Sequence, residues 1–174
     1  MDAADMGSDL ENVLVTNQQM QDSLEEMAQQ IDIDYAGKRP LVVGVLRGAL
    51  MVVADLTRKL HIPIEIDWMA VSSYGSGTKS SGVVRILKDL DTDVHNRDVI
   101  IIEDIIDSGL TLAWLKENLE TRGASSVSIA TALRKPDALK VPVDVRYVGF
   151  DIPNEFVVGY GLDYDENYRH LDCV

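Results

Sequence analysis

Val99-Ile100-Ile101-Ile102-Glu103-Asp104-Ile105-Ile106-Asp107-Ser108-Gly109-Leu110-Thr111 is the stretch on which the fold turns. Four consecutive β-branched residues predict a central strand covered on both faces, as in a parallel sheet. Adjacent carboxylates, Glu103 and Asp104, end that run. A tight turn of small hydroxylated residues follows, and Leu110 to Thr121 reads as a helix closed by Gly123. Ligands of open α/β sheets gather at the carboxyl ends of strands. A helix start offers unpaired N–H groups and a positive dipole end, a seat for a phosphate. Ser108 and Thr111 can add hydroxyl donors, and Gly109 lets the backbone approach closely. Glu103 and Asp104 can accept from sugar hydroxyls or face a hard cation through oxygen. The segment suits a ligand with a phosphate at one end and a polyhydroxylated ring at the other. Acidic residues ahead of a capped helix also arise for structural reasons alone. The addition of Asp-Ser-Gly-x-Thr is what favours a site.

Outward from this segment the chain alternates. Residues 1–12 read as a flexible lead-in, and residues 13–174 as one domain. Thr16-Asn17-Gln18-Gln19 has capping-box spacing. Met20, Leu24, Met27 and Ile31 then recur at helical intervals. Leu41 to Val45 is a buried strand candidate, Gly48 to Leu60 turns helical, and Ile64 to Val71 is again strand-like. Ser72 to Gly82 is too polar and glycine-rich to pack and is expected to be a mobile loop. Strands follow at Val83–Leu87, Val127–Leu133, Val145–Phe150 and Phe156–Leu162. This order predicts an α/β domain with a mostly parallel sheet and helices on both faces.

Composition narrows the function. The 174 residues are 46% hydrophobic, which is ordinary for a globular chain and argues against wholesale disorder. The formal charge of -13 and the lack of a Lys/Arg cluster argue against nucleic-acid binding. Much of that charge is a solvated face, with Asp22, Glu25 and Glu26 on the first helix. No apolar run approaches the roughly 20 residues that span a bilayer. The acidic first ten residues lack a secretory pattern, so a cytoplasmic location without membrane partners is expected. A single cysteine, Cys173, leaves no partner for an intramolecular disulfide.

Glu103-Asp104-Ile105-Ile106-Asp107-Ser108-Gly109-Leu110-Thr111 resembles the phosphoribosyl diphosphate motif of the type I phosphoribosyltransferases. Leu46-Arg47-Gly48, Ser72-Ser73-Tyr74-Gly75, Leu133-Arg134-Lys135-Pro136 and Val148-Gly149-Phe150-Asp151-Ile152-Pro153 narrow the resemblance to bacterial-like hypoxanthine-guanine phosphoribosyltransferases. So does the tail from Phe156 to Tyr164. The resemblance implies a purine-salvage glycosyltransferase that joins hypoxanthine or guanine to phosphoribosyl diphosphate with Mg2+. Its fold would carry a small hood over the base site, and it would form a homodimer or homotetramer. Glu103 and Asp104 would hold the ribose hydroxyls, and Asp107 would take the N7 proton of the purine. Asp107, Ser108, Gly109, Leu110 and Thr111 would bind the 5-phosphate. Arg47 and Gly48 would cradle pyrophosphate, with a cis peptide after Leu46 and help from Arg169. Ser73 and Tyr74 would lie on a closing lid. Lys135 would donate to the purine 6-oxo group, Phe156 would stack on the ring, and main-chain groups of Val157 and Asp163 would read the base edge. Glu103, Asp104 and Asp163 would face magnesium. Many relatives carry Lys at the position of Arg47, and relatives usually run past the position of Val174 into a final strand.

Other signals weigh less. Gly75-Ser76-Gly77 does not link a strand to a helix, so it is assigned to the lid. Asp91-Thr92-Asp93 sits in a polar turn, and His61, His95 and His170 lack metal-ligand spacing. Trp68 and Trp114 read as core or interface residues. No Gly-x-x-x-x-Gly-Lys-[Ser/Thr] occurs. A nucleic-acid-binding sensor of phosphoribosyl diphosphate would need a basic face. It would also not need Asp107, Lys135 and Phe156, and an interaction protein that has lost activity ranks last because nothing catalytic is missing from the sequence.

Overall fold

Asp98 to Ile106 forms strand β4, which lies between β1 (Leu41–Leu46) and β5 (Ser126–Arg134) and is parallel to both. The computed structural model describes residues 10–73 and 84–174. The six-stranded sheet is completed by β2 (Glu65–Ser73), β3 (Val84–Lys88) and β6 (Tyr147–Asp151), in the order β3-β2-β1-β4-β5-β6. Only the edge strand β3 runs antiparallel, against β2. The expected mostly parallel α/β architecture is therefore present. Of the loop expected from Ser72 to Gly82, Ser72 and Ser73 instead belong to β2, paired with Arg85 and Val84, and the rest lies outside the described residues, as do residues 1–9 of the lead-in.

Alternation along β4 explains the layering. Ile100 and Ile102 face one core with α1 (Asn17–Asp34) and α2 (Leu50–Lys59), through Met20, Leu24, Val52 and Leu56. Val99 and Ile101 face a second core with α3 (Leu110–Thr121), through Leu112, Leu115 and Leu119. Successive strand side chains point to opposite faces, so four apolar residues in a row serve both cores. The predicted capping box starts α1: the Thr16 side chain accepts from the Gln19 N–H, and the Gln19 side chain reaches back to the Thr16 N–H. No helix among the described residues is long and apolar enough to cross a membrane.

Two sequence expectations change. Glu103 and Asp104 do not end the strand: β4 stays paired with β5 through Glu103↔Thr131, Ile105↔Leu133 and Ile106↔Arg134. Phe156 to Leu162 does not form a strand. Gly159 (φ 93°), Tyr160 (φ 48°) and Gly161 (φ 99°) are all left-handed. That conformation turns the chain back on itself and precludes a pleated run. Its backbone bonds go instead to the following loop: Tyr160 N–H to Leu171 O and Gly161 N–H to Arg169 O, each 2.9 Å.

The β1–β4 ladder stops at Gly44↔Ile102, four residues before β4 itself ends. The sheet thus opens at its carboxyl edge, between strands whose connections leave in opposite directions. Such a switch point is where doubly wound sheets bind ligands.

Ile101 is fully buried in β4, so Ile101→Ala is expected to cost about 2–5 kcal/mol through lost burial and the cavity left behind. Urea unfolding checks this as a lower midpoint with an unchanged slope.

Candidate active site at the carboxyl edge of the sheet

Because β1 and β4 part company after Ile102, a cavity of about 300 Å3 opens between them, lined among others by Leu46, Gly48, Glu103, Asp104, Asp107 and Thr111. The peptide bond from Leu46 to Arg47 is cis. β4 gives way at Asp107 to the Ser108-Gly109 turn, where Gly109 takes φ 77° and starts α3. Ser108 Oγ accepts from the Leu110 N–H at 3.4 Å, and Ser108 O accepts from the Lys140 N–H at 3.0 Å. The predicted phosphate turn is thus a pinned backbone loop at the N-terminus of a twelve-residue helix.

Glu103 and Asp104 form the floor. Each keeps a partly exposed face toward the cavity, while the surrounding sheet and helices strip most of the water from its carboxylate. Burial, reinforced by the neighbouring Asp104 charge, pushes Glu103 well above the usual carboxylate range. Burial likewise lifts Asp104 to about 6, against opposing help from backbone N–H groups and the Arg169 charge.

Across the floor, Lys135 and Asp107 meet. Lys135 follows β5, is only 7% exposed, and places Nζ 4.0 Å from Asp107 Oδ2. Asp107 itself is exposed to the cleft. Sequence separation of 28 residues is closed by the parallel pairing of β4 with β5, whose last matched pair is Ile106↔Arg134.

The returning C-terminal segment covers the other wall. Arg169 donates to Gly161 O at 2.8 Å, and pairs with Asp163 at 2.8 Å and Glu166 at 3.5 Å. Its Nε is buried and has no partner among the described residues. Glu166 also binds Arg47, at 2.6 Å. It joins the two cations assigned to pyrophosphate, and sequence reasoning missed it because nothing in Asp165-Glu166-Asn167 distinguishes it from a solvated turn. Two close approaches hold this wall in place. A Cβ at Gly48 would overlap the Asp104 carboxylate, and a Cβ at Gly161 would overlap the Gly48 carbonyl. Phe156 and Val157 stand apart, lining an adjacent groove of about 500 Å3. Phe156 is 74% exposed and meets Tyr164 edge-to-face at 5.8 Å. Ser73 ends β2, and Tyr74 lies outside the described residues.

The donor set suits a hard divalent cation. Glu103 and Asp104 supply oxygen from desolvated carboxylates that repel each other, with the Asp163 charge felt at Asp104. No three His, Cys, Asp or Glu side chains among the described residues form a ligand cluster. Carboxylate oxygens are the ligands that a hard divalent cation takes. His61 caps against Asp32 at 3.0 Å.

Raised carboxylates leave a signature in stability. Between pH about 4 and about 6 the folded protein holds protons that the unfolded chain has released. Stability of metal-free, ligand-free protein is therefore expected to fall as pH rises through that window. Asp55, Asp67, Asp89, Asp98 and Asp151 are lowered, so their contribution is already complete there. Glu103→Gln is expected to raise the Tm at pH 8 in EDTA and to match the parent near pH 4.5. Calorimetry across pH reads both; a parent Tm that climbs from pH 4.5 to 8 would contradict the account.

Comparison with known proteins gives the family of the chain. The phosphoribosyl transferase domain model matches residues 12–165. The chain is 54% identical over 172 residues to a hypoxanthine-guanine phosphoribosyltransferase of Mycobacterium bovis, covering 95% of this chain and 85% of the relative. It is 51% identical over 166 residues to the enzyme of that name from Streptococcus thermophilus, covering 95% and 92%. A crystal structure of a hypoxanthine phosphoribosyltransferase from Staphylococcus aureus superposes with a TM-score of 0.94 at 44% identity, covering 98% of this chain and 93% of that one. With the fold, the Glu103–Thr111 segment and these relatives in agreement, the chain belongs to the phosphoribosyl transferase family, among its hypoxanthine-guanine phosphoribosyltransferases.

Proposed function

We propose that the protein transfers the 5-phosphoribosyl group of phosphoribosyl diphosphate to hypoxanthine or guanine, giving IMP or GMP and pyrophosphate. One juxtaposition carries this reading. The phosphate-ready turn at 107–111 lies beside a buried ammonium and a carboxylate, Lys135 and Asp107, at the ends of neighbouring strands. A sugar phosphate and a base with an acceptor oxygen fit that pair of features together.

Residues 13–174 act as one domain in this reading. The Asp107–Thr111 turn, including Leu110 at the helix start, takes the 5-phosphate on backbone N–H groups and the Ser108 and Thr111 hydroxyls. Glu103 and Asp104 receive the ribose hydroxyls. Gly48 brings its backbone to the pyrophosphate, and Arg47 and Arg169 exchange Glu166 for it. Glu103, Asp104 and Asp163 would hold magnesium together with substrate oxygens, and the ion would neutralise the leaving pyrophosphate. As the bond from the ribose C1 to pyrophosphate oxygen breaks, positive charge develops on the sugar. N9 of the purine then supplies the electron pair of the new bond, and Asp107 removes the N7 proton. Lys135 donates to the 6-oxo oxygen. Phe156, exposed in the free protein, gains a stacking partner, while the main chain at Val157 and Asp163 meets the base edge. Ser73 and Tyr74 belong to a lid that excludes water, the competing nucleophile. The reading extends to a cytoplasmic location and to a homodimer or homotetramer, as the family resemblance suggests.

A spectrophotometric assay with each base, phosphoribosyl diphosphate and magnesium tests the reading. Good turnover is expected with hypoxanthine and guanine, and almost none with adenine. Adenine would set an amino donor against the Lys135 ammonium, which has no acceptor capacity. Sites built on such a bond discriminate by about 10⁴-fold. Adenine used as well as hypoxanthine would overturn the assignment. Asp107→Asn is expected to lower kcat by about 10²-fold with little change in nucleotide affinity. Steady-state kinetics with isothermal titration separates the two effects.

A further inference from the structure

Tyr160 combines three features that a packing residue does not need. It is a non-glycine residue in the left-handed region (φ 48°), flanked by two left-handed glycines. It is 5% exposed. Its hydroxyl donates to Asp55 Oδ2 at 2.6 Å, on α2, across 105 residues of chain. A left-handed non-glycine residue is strained and persists where its surroundings over-determine it. Here the surroundings are an organised acceptor. Asp55 Oδ2 also receives Gln21 Nε2 of α1 at 2.9 Å, and Asp55 Oδ1 pairs with Arg58. Burial alone would raise the Asp55 carboxyl. The bonds from Tyr160, Gln21 and Arg58 outweigh it and hold Asp55 below the usual range.

The residue after this anchor touches the pyrophosphate loop. Gly161 packs on the Gly48 carbonyl so closely that no Cβ fits, and Gly48 packs on the Asp104 carboxylate in the same way. The Gly161 carbonyl accepts from Arg169 Nη1 at 2.8 Å. One turn therefore contacts both the main chain and the arginine assigned to pyrophosphate, and the Tyr160–Asp55 bond ties it to the helical layer.

We propose that the Tyr160–Asp55 hydrogen bond is a positioning device for the pyrophosphate cradle. It seats the 159–161 turn on Gly48, and so sets the height of Gly48 over Asp104 and the direction of the Arg169 guanidinium. Tyr160 and Asp55 touch no reacting atom in this account; they act through Gly161. The inference rests on the proposed assignment of Gly48 and Arg169 to pyrophosphate.

The structure contains a matched control. Tyr147 is 2% exposed, and its hydroxyl donates to Asp34 at 2.6 Å, away from the cleft. Tyr160→Phe and Tyr147→Phe each delete one buried phenol–carboxylate bond and keep the ring. Both are expected to lower the Tm by comparable amounts. Only Tyr160→Phe is expected to raise the KM for phosphoribosyl diphosphate and the inhibition constant of pyrophosphate, by about tenfold. Its kcat is expected to stay within about twofold, and its KM for hypoxanthine to stay unchanged. Asp55→Asn, which retains an acceptor for the phenol, is expected to fall between parent and Tyr160→Phe. Pyrophosphate binding to the parent protein with magnesium, measured first by calorimetry, separates the two levels of argument. If the parent binds none, the pyrophosphate assignment itself falls. If the parent binds and Tyr160→Phe binds equally well, with a Tm loss like that of Tyr147→Phe, the bond is structural and the inference is overturned.

Discussion

Glu103 and Asp104 are consecutive carboxylates in a strand that pairs with β5 to its end and with β1 as far as Ile102, with helices over both faces. Placing two like charges there opposes folding, since burial penalises each and their repulsion adds to it. Several other features of the molecule can be understood as accommodations to this placement. β1 stops pairing with β4 just before Glu103, which leaves the two side chains a partly open cavity. Both side chains line that one cavity, where the charge of Asp104 raises Glu103 further. Arg169 supplies the positive charge felt at Asp104 from the far wall. The penalty that remains is an attraction for whatever cation and hydroxyl groups arrive with a substrate.

Delivery of that far wall is a problem of connectivity. Residues 157–174 leave the sheet after β6 and must return over its open edge with no strand of their own to pair. They do so through left-handed turns and loop-to-loop backbone bonds, and close on the N-terminal segment, where Val174 O accepts from the Leu14 and Val15 N–H groups. The result is a hood held by points rather than by a ladder. Rigidity at its centre comes from the contacts of Gly161 and the buried phenol beside it. Rigidity at its rim, around Phe156 and Glu166, is not enforced by burial.

Legibility in the sequence follows the range of the interactions. The strand-turn-helix from Val99 to Thr121 could be read because its determinants are local: unbroken β-branching, then small residues, then a helical period. The α1 capping box is local too, and it is present. The antiparallel course of β3 has no local signature. Asp104 lies inside β4 rather than at its end because β5 continues to pair beside it, a fact that resides in Thr131 and Leu133 and not in Glu103-Asp104. Phe156 to Leu162 has strand-like composition, yet the glycines at 159 and 161 override it. The pairing of Lys135 with Asp107 could be placed from family resemblance but not from spacing. Glu166 and the Gly161–Gly48–Asp104 contacts had no signal, since each depends on chain segments more than 50 residues apart meeting face to face.

Gly48 has a consequence for how such a protein can change over generations. Every replacement at this position adds at least a methyl group, and the space for that methyl is already filled by the Asp104 carboxylate. No graded series of variants exists there, because the smallest step is already a collision. Gly161, resting on the Gly48 carbonyl, is closed to drift for the same reason. Variation is channelled instead to neighbours with room around them, such as Arg47, which is 71% exposed at its side chain. Divergence among related chains should therefore pool in the exposed rim of the cradle while its two-glycine spine stays mute.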